Sequence, residues 1–185
     1  SWVGGDMDGN PNVNAKTIRS TLARQRSLIL DLYFRECAAI SAKLSQSTDR
    51  VAIDKRILDK IEHYRRMFQP AYHAVPARHR EMPYRVYLRL VQARLQATYD
   101  DDAYPYESAK QLIEDVRILA DSLADNKGEN AGLFTVRRLQ RRIDTFGFHF
   151  LTLDVRQDAL VLRQVVGELL GENDWLEWNP HDRLA

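Results

Sequence analysis

Ser1-Trp2-Val3-Gly4-Gly5-Asp6-Met7-Asp8-Gly9-Asn10-Pro11-Asn12-Val13 opens the chain with three glycines, one proline, two aspartates and two asparagines in thirteen residues. Glycine relieves the steric limit on backbone angles, and Asp and Asn side chains satisfy nearby amides. The segment therefore reads as a shaped loop, and shaped loops on a rigid scaffold often carry chemistry. No strand precedes it to supply that scaffold, so the chain reads as an internal piece of something larger.

The rest of the chain is mostly helical in pattern. Ile18, Leu22, Ile29, Tyr33, Cys37, Ile40 and Leu44 fall on one face of a long helix, with Asn14 as its N-cap. A break at Ser45–Asp49 precedes a second helix starting at Thr48 or Asp49, carrying Ile57, Ile61, Tyr64 and Phe68 and ended by Pro70. Further helices are expected from Met82 to Tyr99, from Ser108 to Asp125, and from the Asn126–Gly132 turn to Phe146, where Gly147 stops the last.

Then the period changes. Phe148-His149-Phe150-Leu151-Thr152-Leu153-Asp154-Val155-Arg156 is rich in β-formers and predicts a strand, followed directly by a helix from Asp158 to Leu170. A lone strand needs a neighbour for its backbone groups. The sequence offers only a few residues near Trp2 and Val3, so both β-like pieces are expected to be orphans needing partners beyond the chain ends. The organisation read from sequence is a loop over 1–13, a helical bundle over 14–147, a strand over 148–157, and a helix and tail over 158–185.

Composition narrows the function. Hydrophobic residues make up 44% and charged residues 29% of the 185, as in a folded globular domain. A net charge of +1 gives no bulk attraction to nucleic acid, and no apolar run or signal-peptide pattern points to a membrane. The single Cys37 excludes an internal disulfide and a cysteine-based zinc cage. A cytoplasmic protein with neither nucleic-acid nor membrane partners is the expectation.

Several motifs invite chemistry. Asp6, Asp8 and Asn10 resemble the start of an EF-hand, but Pro11 replaces the required glycine and Thr17 stands where a bidentate carboxylate is needed. A loose Mg²⁺ site on the two aspartates stands beside the plainer reading that they brace the turn. Gly4, Gly5 and Gly9 fit neither phosphate-loop spacing. The five histidines show no ligand spacing, and Arg137, Arg138, Arg141 and Arg142 read as a solvated or salt-bridged helix face. Arg156 ends the expected strand just before a helix, where parallel α/β folds bind ligands. Its guanidinium suits a phosphate or carboxylate, or else a salt bridge to Asp154 or Asp158.

The opening segment resembles the S-W-[MIV]-G-G-D-R-D-G-N-P-x-V motif of phosphoenolpyruvate carboxylases. Phe146-Gly147 with Leu153-Asp154-Val155-Arg156-Gln157-Asp158 resembles their F-G…[LI]-D-[IV]-R-Q-[ED]-S segment, in the same order. Met7 stands where the family usually has arginine, and Ala159 where serine is usual. The resemblance implies a helical insertion from a large (β/α)8-barrel enzyme that carboxylates phosphoenolpyruvate with bicarbonate to oxaloacetate and phosphate. It implies Mg²⁺ or Mn²⁺ as cofactor, a homotetramer and allosteric control.

By position, Arg156 would hold the substrate phosphate and Trp2 would line the pocket for its methylene. Gly4, Gly5, Asp6, Asp8, Gly9 and Asn10 would shape the site. The family's T-A-H-P-T-E histidine motif and G-x-S-D-S-x-K-D lysine segment do not occur in these residues. The chain alone is therefore expected to be inactive and to bind no metal. The competing reading is a non-catalytic helical module that binds a protein partner.

Overall fold

The computed structural model describes residues 4–8, 10–126, 128–172 and 174–184. It divides into two compact units, one of Gln25–Phe150 and one of Ser1–Arg24 with Leu151–Ala185. Seven α-helices are present among the described residues: α1 Ala15–Lys43, α2 Lys55–Met67, α3 Gln69–His73, α4 Pro83–Asp100, α5 Ala109–Asp125, α6 Phe134–Phe146 and α7 Ala159–Leu170. The expected mostly-α class holds. No described helix is long and apolar enough to cross a membrane.

Helix α1 starts as its sequence dictates. The Asn14 Oδ1 accepts from the amides of Lys16 and Thr17 at 3.0 and 3.2 Å, satisfying two donors that the first turn leaves open. Its Ile29, Tyr33, Cys37 and Ile40 stripe is buried, as 3.6-residue periodicity requires. Within the larger unit this stripe shares one core with Ile57 and Tyr64 of α2, Leu88, Val91 and Leu95 of α4, Leu112, Val116 and Leu119 of α5, and Val136, Leu139 and Ile143 of α6. Each such side chain contributes about 1.5–3 kcal/mol by leaving water. Complete burial also pushes the Cys37 thiol pKa up to about 12, so it is inert core.

Two helix boundaries differ from the sequence expectation. Helix α2 begins at Lys55 rather than near Thr48, because Asp54 supplies the cap, its Oδ1 accepting from the Arg56 amide at 2.8 Å. Residues 48–50 form a turn, in which the Asp49 amide donates to Ser47 Oγ. Pro70 does not end α2; it sits in the first turn of the short α3, where a missing N–H costs nothing.

The larger change concerns the stretch expected as a strand. Gly147 has φ 50° and Phe150 φ 65°, so the chain turns twice where an extended run was expected. Phe148 and Phe150 pack on the core instead, Phe150 with its ring centroid 6.0 Å from that of Phe146. The buried Tyr33 hydroxyl donates to the Gly147 carbonyl at 2.9 Å and the Arg142 carbonyl at 3.2 Å, fixing this turn from α1. Only Arg156 retains a β-type pairing. On the basic face of α6, Arg142 pairs with Glu36, in keeping with a salt-bridged surface.

The core also encloses a carboxylate. Asp115 of α5 is fully buried and accepts from Tyr64 and Tyr106 hydroxyls at 2.6 Å each and from Lys60 Nζ at 2.8 Å. Arg94 donates to the Tyr64 hydroxyl at 2.8 Å and lies 4.1 Å over the Tyr106 ring. A buried charge is tolerated only when paired and hydrogen-bonded, and the Asp115 carboxylate meets that condition, although Arg94 Nε is buried without a hydrogen-bond partner. Burial first, and the Asp115 charge second, raise the pKa of Tyr64 and push that of Tyr106 well above the ordinary value, keeping both hydroxyls as donors. Burial works against the Lys60 ammonium, but the Asp115 contact outweighs it and holds its pKa above the ordinary value.

The cluster ties α2, α4 and α5 together. Asp115→Asn, which removes the counter-charge, is expected to lower stability in urea denaturation by about 3 kcal/mol. Tyr106→Phe, which removes one donor, is expected to cost about 1–2 kcal/mol. Equal stability of Asp115→Asn and the parent chain would contradict this account.

Candidate functional site

The smaller unit brings the two motifs together. The Arg156 amide donates to the Gly5 carbonyl at 2.9 Å, and the Met7 amide donates to the Arg156 carbonyl at 2.8 Å. These bonds form a parallel bridge between Asp6 and Arg156, about 150 residues apart. The two β-like pieces thus meet each other through this single bridge, at Gly5–Met7; Trp2 and Val3, the expected partners, lie outside the described residues.

The double glycine makes this approach feasible. A Cβ on Gly5 would lie 2.4 Å from the Asp154 carbonyl oxygen, which is fixed backbone. Gly4 has φ 81°, and a Cβ there would lie 2.2 Å from Thr21 Oγ1 on α1. That hydroxyl is itself held by a 2.9 Å bond to the Thr17 carbonyl. One glycine therefore admits the Leu153–Arg156 segment, and the next admits the helix.

Beyond the bridge the loop is braced by its own polar atoms. Asn10 Oδ1 accepts from the Asn12 amide at 3.0 Å, and the Asn10 carbonyl accepts from the Val13 amide at 3.2 Å. Asp8 and Asn10 are exposed. Asp6 is half-buried, and its Oδ1 is enclosed with no hydrogen-bond partner, leaving an acceptor ready for a donor. Trp2 and Gly9 lie outside the described residues.

Arg156 is exposed, two residues before Asp158, the cap of α7. The Asp158 Oδ1 accepts from the Leu160 and Val161 amides at 2.7 and 3.3 Å. Those two amides are thus taken by the chain's own carboxylate rather than left open at the helix terminus. Thr21, which underlies Gly4, was not singled out in the sequence. Its place on the first helix gives no local hint of a glycine packed against it.

The phosphoenolpyruvate carboxylase family model matches residues 1–185. The chain belongs to the phosphoenolpyruvate carboxylase family. It is 46% identical over 185 residues to the phosphoenolpyruvate carboxylase of Xanthomonas euvesicatoria pv. vesicatoria (strain 85-10), covering 100% of this chain and 20% of that protein. It is 38% identical over 184 residues to that of Ralstonia nicotianae (strain ATCC BAA-1114 / GMI1000), covering 92% and 18%. The phosphoenolpyruvate carboxylase of Nocardia farcinica (strain IFM 10152) is 32% identical over 186 residues, covering 92% and 19%. The chain spans about a fifth of the length of these curated relatives.

Within this carboxylase segment the bridge gives a specific expectation. Gly5→Ala forces the backbone apart and should cost about 1–3 kcal/mol locally. Hydrogen exchange of the Met7 and Arg156 amides should then accelerate at least tenfold. Gly171→Ala is the control: its φ of 75°, unlike that of Gly5, strains any side chain, but its Cβ meets nothing within 4 Å. It should leave those two amides unchanged; equal protection in Gly5→Ala and the parent would contradict the pairing.

Proposed function

We propose that this chain supplies part of the substrate grip of a phosphoenolpyruvate carboxylase. The reaction joins the methylene carbon of phosphoenolpyruvate to the carbon of bicarbonate and releases phosphate, leaving oxaloacetate. The observation that carries the reading is the backbone bridge that sets Arg156 beside the double-glycine loop. In this reading the Arg156 guanidinium holds the phosphate by charge-assisted, two-pronged hydrogen bonds. The loop from Gly4 to Asn10 shapes the neighbouring wall, and Trp2 lines the pocket for the methylene. Charge stabilisation of the departing phosphate is the term Arg156 would supply to the barrier.

The family chemistry calls for Mg²⁺ or Mn²⁺. Among the described residues no group of three or more His, Cys, Asp or Glu side chains converges to hold a metal ion. The described residues do not fit a metal cage, and no step is assigned through one. The general acid–base groups would likewise come from elsewhere in a longer polypeptide. A cytoplasmic homotetramer under allosteric control, feeding oxaloacetate to the tricarboxylic acid cycle, completes the proposal.

A segment swap tests it. The matching fifth of the Xanthomonas enzyme is replaced by this chain, and oxaloacetate is followed with phosphoenolpyruvate, bicarbonate and Mg²⁺. The swapped enzyme should turn over, and Arg156→Ala within it should lower kcat/KM about 100-fold or more with an unchanged melting profile. Unchanged kinetics in Arg156→Ala would remove that residue from the site. The 185-residue chain alone should form no oxaloacetate above a blank.

A further inference from the structure

The Asp6 side chain takes no part in the hydrogen bonds of the bridge, yet the bridge fixes where it points. The Arg156 amide donates to the Gly5 carbonyl and the Arg156 carbonyl accepts from the Met7 amide, so Asp6 stands directly opposite Arg156 within the smaller unit. Residues paired across a parallel bridge project their side chains to one face, and their chain neighbours project to the other. Gly5 and Met7 flank Asp6 and therefore turn away from it. The face that carries the Asp6 carboxylate is the face that carries the Arg156 guanidinium.

The two groups suit each other. Asp6 is half-buried, and its Oδ1 is enclosed without a hydrogen-bond partner. An enclosed carboxylate oxygen left unpaired is destabilising, and a charged donor beside it is the strongest remedy. Arg156 is exposed, so its long side chain has room to turn. Its guanidinium carries five donors in a rigid fork, enough to meet a carboxylate along one edge and a second oxyanion along the other. Two other carboxylates flank Arg156 in sequence. The Asp158 Oδ1 is committed to the Leu160 and Val161 amides. Asp154, two residues before Arg156 on the same segment, is the competing acceptor.

We propose that Asp6 is a positioning residue: its carboxylate accepts from one edge of the Arg156 guanidinium and turns the other edge toward the substrate phosphate. This role rests on the substrate grip assigned to Arg156 above. Orientation is what Asp6 supplies. A carboxylate and a guanidinium sum to no net charge, so the pairing does not strengthen the long-range attraction for phosphate. It restricts a flexible side chain before substrate arrives, which lowers the ordering cost of the two-pronged contact.

The test begins with proton exchange at the Arg156 Nε–H, read by NMR in the 185-residue chain. Asp6→Asn keeps the side-chain shape and removes the charge. It should leave the Met7 and Arg156 backbone amides protected as in the parent, while the Nε–H exchanges about fivefold faster or more. Asp154→Asn should change that exchange less than about twofold. Equal Nε–H exchange in Asp6→Asn and the parent, or a larger acceleration in Asp154→Asn, would overturn the pairing. In the swapped enzyme, Asp6→Asn should lower kcat about tenfold with KM within about threefold, because a loosened guanidinium still attracts phosphate but meets the transition state poorly. In an Arg156→Ala background the same change should cost less than about twofold, since Asp6 acts through that guanidinium. A full tenfold loss in that background would overturn the positioning role. Unchanged kinetics in Arg156→Ala would instead remove the grip, and the Nε–H exchange would still decide the pairing.

Discussion

Two backbone hydrogen bonds, from Arg156 to Gly5 and from Met7 to Arg156, organise the part of this chain that resembles an active site. They close a loop of about 150 residues, and loop closure of that length has an entropic cost that two bonds alone would not offset. The cost falls because the intervening residues fold into a unit with its own core. The bridge also leaves no room for a side chain at the second glycine of the opening motif. A Cβ there would meet the Asp154 carbonyl oxygen, and the pairing would be lost before any ligand was involved.

The larger unit is stabilised differently. Its helices bury aliphatic and aromatic stripes in the ordinary way, but the buried Asp115 cluster adds a directional constraint. Two tyrosine hydroxyls and a lysine reach the same carboxylate from different elements, so register errors among α2, α5 and the loop at Tyr106 would leave a charge unpaired. Packing sets how firmly this unit holds together, and the polar cluster sets which arrangement it takes. Among the described residues the smaller unit shows no comparable core: α7 buries only Gly167, while Leu160, Leu162, Leu169 and Leu170 stay exposed. Its defined features are the bridge, the capped start of α7 and the tail, where Arg183 donates to the Trp175 and Leu176 carbonyls.

The helices were legible because 3.6-residue periodicity is a local signal, and Asn14, Gly147 and Asp158 mark ends that the structure keeps. The start of α2 was not, since Thr48, Asp49 and Asp54 are all competent caps; the structure uses Asp54, whose amide also donates to Ser122 Oγ of α5, with Ile57 buried one turn on. The run from Phe148 to Arg156 misled for a related reason. Aromatic and β-branched residues suit a strand, but they suit a core equally, and the turns at Gly147 and Phe150 direct Phe148 and Phe150 into one. Asp115 was passed over because an acidic residue beside Leu112 and Val116 reads as a surface position. The clue was its spacing, four residues before Leu119 on the buried face. The partnership of Gly5 with Arg156 leaves no local trace at all; the motif resemblance named both segments but not the bonds between them.

The central claim is that the opening loop and Arg156 form one paired element. Scalar coupling across hydrogen bonds reads this directly in the isotopically labelled 185-residue chain. The account predicts two couplings, one from the Met7 amide nitrogen to the Arg156 carbonyl carbon and one from the Arg156 amide nitrogen to the Gly5 carbonyl carbon. A folded chain with neither coupling, and with both amides exchanging at unprotected rates, would contradict it.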